Sequence, residues 1–132
     1  MTEEQRKAIV AYRIENAVST LNEVKDHRDN GYYNTAVNRL YYACYYAASA
    51  LLVANGIETK SHDGVRQMLG KHFVLTGKIP PELGHFYSVL FSKRSSGDYE
   101  DFINHTEQTV NELYPMVETF IDPVRHILSN ME

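Results

Sequence analysis

The chain has 132 residues, of which 43% are hydrophobic and 23% charged, and its formal net charge is −4 at pH 7. This size and composition fit one folded domain over residues 1–132 and exclude general disorder. The single cysteine, Cys44, excludes an internal disulfide, and the acidic balance argues against a large sequence-independent nucleic-acid surface.

Targeting signals are not evident in this sequence. Residues 1–7 are polar and no apolar segment of a signal peptide follows them. The longest apolar stretch, residues 41–54, is shorter than the roughly 20 residues that a membrane helix needs. We therefore expect a cytoplasmic protein without membrane contact.

The first two predicted helices cover residues 3–28 and 32–55. The first carries apolar residues mostly three or four positions apart, which is the pattern of an amphipathic helix. The sequence Asp29-Asn30-Gly31 ends it, and Gly56 ends the second helix. Residues 40–54 are apolar on nearly every side of the second helix, so we expect it to be the central helix of a bundle.

Three further helices are predicted in the second half. Apolar spacing over residues 65–73 gives a shorter helix that ends near Gly77. Pro80-Pro81-Glu82 opens a fourth helix, which Ser95-Ser96-Gly97 is expected to break. Residues 104–107 have the Asn-x-x-Glu form of a capping box that begins the last helix, where two prolines favour a kink or a break. The predicted fold class is all-α, an up-and-down bundle of four to five helices.

Tyrosine is concentrated in the second helix, since six of the ten tyrosines lie within fifteen residues. Residues four apart share a helix face, so Tyr41 aligns with Tyr45 and Tyr42 with Tyr46. Core packing with the hydroxyl groups at the edge, contact with a partner subunit, and stacking on bases are all open interpretations.

The six histidines do not have the spacing of a known metal site. Glu82-x-x-His85 matches half of the pattern used in di-iron bundles, but the second copy is missing. No His-Glu-x-x-His, phosphate-binding glycine loop or dinucleotide fingerprint occurs. We expect neither a metal nor a cofactor.

Basic residues are concentrated between residues 60 and 94, with six basic against two acidic side chains, whereas eight acidic residues and one basic residue follow. The last two basic residues of this region, Lys93 and Arg94, begin the segment Lys93-Arg94-Ser95-Ser96-Gly97-Asp98-Tyr99. This segment is predicted to be a loop between helices. One interpretation is a solvated surface with a salt bridge between Arg94 and Asp98. The other is a basic end of the domain that binds a short anionic ligand.

Four fragments together resemble the HEPN domain family. They are Asn38-Arg39-Leu40-Tyr41-Tyr42-Ala43, Lys60-Ser61-His62-Asp63-Gly64-Val65, Gly70-Lys71-His72-Phe73, and residues 94–102 with the sequence Asp98-Tyr99-Glu100-Asp101-Phe102. Their order and spacing are most similar to a small bacterial and archaeal branch of that family.

The resemblance implies a helical homodimer that binds RNA or a nucleotide, often as a toxin beside a nucleotidyltransferase-type antitoxin. Catalytic members resemble metal-independent endoribonucleases with an Arg-x(4–6)-His motif. Its arginine would stabilise the phosphorane charge and its histidine would move protons. Here Arg94 takes the arginine position, and Tyr99 stands five residues later in place of histidine. A phenol, with a reference pKa of about 10, is a poor base at neutral pH.

The predicted function is therefore an RNA- or nucleotide-binding domain, with a toxin-type endoribonuclease as its catalytic form. The candidate catalytic residues are Arg94, Tyr99 and Asp98. The candidate binding residues are Lys93, Arg39, Asn38, Lys71 and His72. The alternative is a non-catalytic protein-interaction or dimerisation module, in which the tyrosine-rich helix forms the interface.

Overall fold

A computed structural model describes residues 1–99 and 104–131 of the chain. Five α-helices and one π-helical turn follow one another in this part, and no strand occurs in it. The α-helices are α1 (Glu3–Asp29), α2 (Tyr33–Ala54), α3 (His62–Leu69), α4 (Pro81–Tyr99) and α5 (Glu107–Asn130), and the π-helical turn is Gly70–Val74. The predicted all-α bundle is confirmed.

The boundaries of α1 and α2 lie within one residue of those predicted. Thr2 caps α1 and forms a capping box with Gln5, since each side chain bonds the backbone N–H of the other residue. Gly31 has a φ of 79°, in the left-handed region that glycine adopts without strain, so the chain can reverse there into α2.

The prediction that α2 is the central helix agrees with the packing. Helix α2 contacts α1, α3, α4 and α5. Of these four helices, α1, α4 and α5 each contribute several core side chains. The fully buried residues of α2 include Ala36, Leu40, Tyr41, Ala47, Ala48 and Leu51. No helix in the described ranges has the length and hydropathy needed to cross a membrane.

The predicted break at Ser95-Ser96-Gly97 is wrong. Helix α4 continues through these residues to Tyr99, so Arg94 lies within a helix rather than in a loop. A glycine inside a helix costs only about 1 kcal/mol relative to alanine, and a serine less. Burial of Phe86 and Leu90 against the bundle core holds the preceding turns of α4, and none of the residues from Ser95 to Tyr99 is a proline that would stop the helix.

The start of α5 also differs from the prediction. Thr106 is the N-cap, because its hydroxyl accepts a hydrogen bond from the Thr109 backbone N–H at 3.2 Å. Asn104, predicted to open a capping box, instead receives a side-chain hydrogen bond from Asn34. The predicted contact within residues 104–107 therefore gives way to one between two distant parts of the sequence.

Neither proline inside α5 breaks the helix. Pro115 and Pro123 lie within one continuous element. Each proline leaves a carbonyl without its helical partner four residues earlier, at Asn111 and Thr119. Both of these residues are exposed, so water can bond their carbonyl groups.

Candidate functional site

A cluster of aromatic and cationic side chains lies where α2, α3 and α4 meet. Its centre is Tyr41, which is fully buried. The Tyr41 ring centroid is 6.0 Å from those of Tyr45, Tyr87 and Phe91. The Tyr41 cluster, as we call it, comprises Tyr41, Tyr45, His62, Tyr87, Phe91 and Arg94.

Two phenols of the cluster are buried deeply enough to stay protonated. Burial raises the pKa of Tyr41 to about 12, although the nearby Tyr87 hydroxyl and Arg94 charge act in the opposite direction. Burial, together with the neighbouring Tyr41, also raises the pKa of Tyr87. Both groups therefore act as neutral hydroxyls at physiological pH.

His62 is the first residue of α3 and lies against three tyrosines of α2. Its Nδ1 atom is 2.8 Å from the Tyr41 hydroxyl oxygen, which is a hydrogen bond. The imidazole stacks on the Tyr45 ring with centroids 4.3 Å apart and meets the Tyr42 ring edge-on at 5.6 Å. Burial and then the charge of Arg94 lower the pKa of His62, so its ring is neutral at pH 7.

The Arg94 guanidinium enters the same cluster from α4. Its Cζ atom lies 5.2 Å from the centroid of the Tyr41 ring and 6.0 Å from that of Phe91. These distances are those of cation–π contacts. Arg94 and His62 thus both contact Tyr41, and the Arg94 charge is close enough to affect the titration of the imidazole.

A second guanidinium extends the positive charge along Phe91. The Cζ atom of Arg66 is 5.7 Å from the Phe91 ring centroid, and its Nη2 atom forms an ion pair with Asp63 at 2.6 Å. Hydrogen bonds from Arg66 and Gln67 lower the pKa of Asp63. The Phe91 ring therefore has cation–π contacts with two arginines, Arg66 and Arg94.

Beside Arg66, a cavity of about 440 Å³ opens between the π-helical turn and α4. Basic side chains on its wall are Arg66, Lys71 and His85. Gly84 allows α4 to approach the turn closely, because a Cβ atom at this position would lie 2.7 Å from Val74 Cγ2.

The structure brings some of the predicted site residues together and separates others. Arg39 is half-exposed, with its Cζ atom 4.9 Å from the Tyr42 ring centroid, so it lies beside the cluster. Asn38 precedes it on α2 and is half-buried. Lys71 lines the neighbouring cavity, and the half-buried His72 follows it in the π-helical turn.

The remaining predicted residues follow or precede Arg94 on α4. Lys93 is next to His105, since its backbone and charge both affect the pKa of that imidazole, which burial lowers. The structure describes the backbone of α4 as far as Tyr99 but not the side chains of Asp98 and Tyr99. The predicted Arg94–Asp98 salt bridge therefore lies outside what is described.

His62 is the site residue that the sequence analysis did not select. Between residues 58 and 62 the chain reads as a polar loop, and a lone histidine there carries no motif by itself. The available signal was Ser61, an N-cap residue whose hydroxyl accepts a hydrogen bond from the Gly64 N–H at 2.9 Å. Because Ser61 is the N-cap, His62 is the first residue of α3. The helical backbone there sets the direction in which its side chain leaves the helix.

Comparison with known proteins gives relatives over nearly the whole chain. A "UPF0332 protein" of Thermotoga maritima is 34% identical over 128 residues, covering 97% of each chain. A "Putative toxin MJ0605" of Methanocaldococcus jannaschii is 31% identical over 118 residues, covering 89% of this chain and 87% of that protein. A second protein of that archaeon, "Putative toxin MJ0142", is 28% identical over 115 residues, covering 87% and 78%.

The family model of the HEPN domain matches residues 10–127. This range includes α2, α3 and α4 and so every residue of the Tyr41 cluster. The chain belongs to the HEPN domain family.

Proposed function

We propose that this domain binds RNA or a nucleotide through a phosphate group held by Arg94, and that it acts as the toxin of a toxin–antitoxin pair in the cytoplasm. The observation that carries the proposal is the convergence of the Arg94 guanidinium and the His62 imidazole on the Tyr41 ring. A planar cation next to a neutral imidazole and a protonated phenol is a suitable receptor for a phosphodiester.

The geometry of the Arg94 contacts supports this proposal. A guanidinium over an aromatic ring is attracted by the electrons of the ring, and a phosphate is bound by the N–H groups of a guanidinium. The contacts with the rings of Tyr41 and Phe91 would hold the Arg94 charge in place at the cluster.

The charge around the cluster supports a nucleic-acid chain rather than a single phosphate. Lys71 lies on the wall of the adjoining cavity, where Arg66 is paired with Asp63. Arg39 lies beside Tyr42 on the α2 side. Successive phosphates of a short single strand could follow these cations, and the exposed parts of the tyrosine rings could stack on its bases.

Two relatives that bear the name "Putative toxin" support the toxin part of the proposal. By resemblance to the family, we propose a homodimer and an antitoxin of the nucleotidyltransferase type as partner. Sedimentation at tens of micromolar tests the dimer, and co-purification with the product of an adjacent nucleotidyltransferase gene tests the partner. A monomer at that concentration would contradict the first of these proposals.

The binding proposal is tested by titrating a short single-stranded RNA into the protein at two salt concentrations. We expect Arg94→Ala to weaken binding by about tenfold or more, because a hydrogen-bonded charge contributes about 1.5–3 kcal/mol. Arg94→Lys should restore only part of the affinity, since lysine lacks the planar fork. The matched control is Arg28→Ala on α1, where the arginine is paired with Asp29.

The alternative, a protein-interaction module, predicts a different result. RNA would then bind weakly and equally to the wild type, Arg94→Ala and Arg28→Ala. Equal binding by all three proteins would overturn the proposed function. Thermal melts of the same samples show whether a loss of binding by Arg94→Ala reflects unfolding.

A further inference from the structure

The fold brings a histidine close to Arg94, although the sequence motif has a tyrosine at its histidine position. Five residues after Arg94 stands Tyr99 rather than histidine. Within the described residues, however, His62 reaches Tyr41 from α3, and Tyr41 is also the ring under the Arg94 guanidinium. An arginine and a histidine thus meet at one site although 32 positions separate them in the sequence.

Contacts on several sides fix the position of the His62 ring. Its Nδ1 atom is bonded to the Tyr41 hydroxyl at 2.8 Å, one face stacks on Tyr45, and Tyr42 meets it edge-on. The Ser61 cap holds the backbone before it. The half-buried imidazole is thus held through Nδ1, and Nε2 is the ring nitrogen that does not bond Tyr41.

We propose that His62 is the proton-transferring residue of an RNA-cleavage reaction at this site, with Tyr41 as its positioning residue. The proposal rests on the proposed function, because it requires an RNA phosphate at Arg94. In the neutral ring, the Nδ1–H group donates to the Tyr41 oxygen and the lone pair lies on Nε2. A tyrosine hydroxyl can donate or accept this bond, so the proposal includes the tautomer in which Tyr41 accepts from Nδ1–H.

The reaction is a transesterification. His62 Nε2 takes the proton of a ribose 2′-hydroxyl, and the 2′-oxygen attacks the adjacent phosphorus. The new bond joins the 2′-oxygen to phosphorus, and the bond from phosphorus to the 5′-oxygen breaks. The leaving 5′-oxygen takes a proton from the imidazolium, so the products are a 2′,3′-cyclic phosphate and a 5′-hydroxyl end. Arg94 stabilises the charge of the phosphorane.

The charges around His62 suit this reaction. Its neighbours across the site are Arg94 on α4 and the rings of Tyr41, Tyr42 and Tyr45 on α2, while Asp63 and Arg66 pair with each other on its own helix. Burial and Arg94 keep the imidazole unprotonated and so ready to accept a proton. A phosphate bound at Arg94 would offset the arginine charge and stabilise the imidazolium once it forms.

His105 is the competing histidine. It follows Arg94 by eleven positions and lies beside Lys93. Its contacts in the described part of the chain do not include Tyr41, and its backbone N–H is held by Asn34. The cleavage experiment therefore compares the two histidines directly.

The experiment measures cleavage of an end-labelled single-stranded RNA by the wild type, His62→Gln, His105→Gln and the exposed control His126→Gln. Wild type should yield 2′,3′-cyclic phosphate ends. We expect His62→Gln to cleave about 10²–10⁴-fold more slowly, as is usual for loss of a general base, while still binding a 2′-deoxy analogue. His105→Gln and His126→Gln should cleave at the wild-type rate.

Failure of this inference can be told apart from failure of the proposed function. Wild type that binds RNA through Arg94 without cleaving it, or His62→Gln that cleaves normally, overturns the inference alone. Wild type that does not bind RNA overturns both. Loss of cleavage only in His105→Gln would move the proton transfer to that residue and contradict the assignment of His62.

Nitrogen-detected NMR of the His62 ring gives an independent readout. We expect a neutral ring with its proton on Nδ1, and a rise of the His62 pKa when the 2′-deoxy RNA is added, because the phosphate favours the charged form. Tyr41→Phe should lose the tautomer preference while the fold persists. A neutral ring with its proton on Nε2, or a pKa that RNA leaves unchanged, would overturn the proposal.

Discussion

Helix α2 meets arginines at both of its ends, and the two groups of contacts are different. Near its C-terminal end, Arg6 of α1 donates to the Val53 carbonyl at 2.7 Å and Arg13 donates to the Ser49 hydroxyl. In its tyrosine-rich N-terminal half, Arg94 lies over the ring of Tyr41 and Arg39 over the ring of Tyr42. One end binds guanidinium groups by oxygen atoms and the other by aromatic faces.

This difference separates a structural contact from a binding surface. An oxygen atom takes up the in-plane donors of a guanidinium and ties α1 to α2. An aromatic face attracts the cation through the electrons of the ring rather than through an oxygen acceptor. We therefore expect variants at the oxygen-bound end to change stability, and variants at the ring-bound end to change ligand binding.

The largest effect on stability is expected from Arg13→Ala. Ser49 is buried, with 7% of its surface exposed, so its hydroxyl would lose a charged partner where water has little access. Such a loss costs about 1–3 kcal/mol. Urea denaturation should show this decrease, with RNA affinity unchanged. Arg28→Ala, an exposed ion pair, is the control and should cost at most about 1 kcal/mol. An Arg13→Ala protein as stable as the wild type would remove the distinction between the two ends.

Tyr41→Phe should have an intermediate effect. It keeps the buried ring and removes the hydroxyl that bonds His62 Nδ1. We expect a loss of about 0.5–1.5 kcal/mol in the free energy of unfolding, the usual net contribution of one hydrogen bond. The matched control is Tyr46→Phe, where the half-buried ring packs on Tyr42 and Tyr45. If both variants were equally stable, the bond to His62 would not contribute to holding α3 on α2.

Arg39→Ala should change stability still less. Its contact with Tyr42 is half-exposed, and such cation–π contacts contribute about 0.5–1 kcal/mol. RNA binding should lose one phosphate contact, so the slope of affinity against salt should decrease by about 0.7 for a single strand. Arg39→Lys should retain most of that slope. An unchanged slope in Arg39→Ala would place the RNA path elsewhere.

The helices could be predicted from the sequence because their signals are local. Gly31 and Gly56 adopt the positive φ values that end α1 and α2, and the apolar residues of α2 follow from its central position. The end of α4 could not be predicted in this way. Ser95-Ser96-Gly97 carries weak local preferences, and the packing of the preceding turns on the core outweighs them.

The candidate site was only half predictable for the same reason. Arg94 was found because a family motif marks it within a few residues. His62 was missed because its contact with Tyr41 joins residues 21 positions apart in the sequence, and no spacing rule within one helix reports such a contact. The tyrosine spacing did predict that Tyr41 and Tyr45 share a face, and their rings stack with centroids 6.0 Å apart.

The smallest effect is expected on the titration of His62. Burial is the larger cause of its lowered pKa and the Arg94 charge the smaller, so Arg94→Ala should raise that pKa only part of the way toward 6.5.

The unfolded chain protonates first as the pH falls below 6.5, so the contribution of His62 to stability is present above this pH and decreases below it. In Arg94→Ala the decrease should be smaller, since the folded and unfolded pKa values lie closer together. NMR titration of the His62 ring and thermal melts on both sides of pH 6.5 measure the two quantities. Arg13→Ala is the control, because the Arg13 charge does not contribute to the His62 pKa. Equal shifts of the His62 pKa in both variants would mean that the oxygen-bound arginine and the ring-bound arginine affect the site to the same extent.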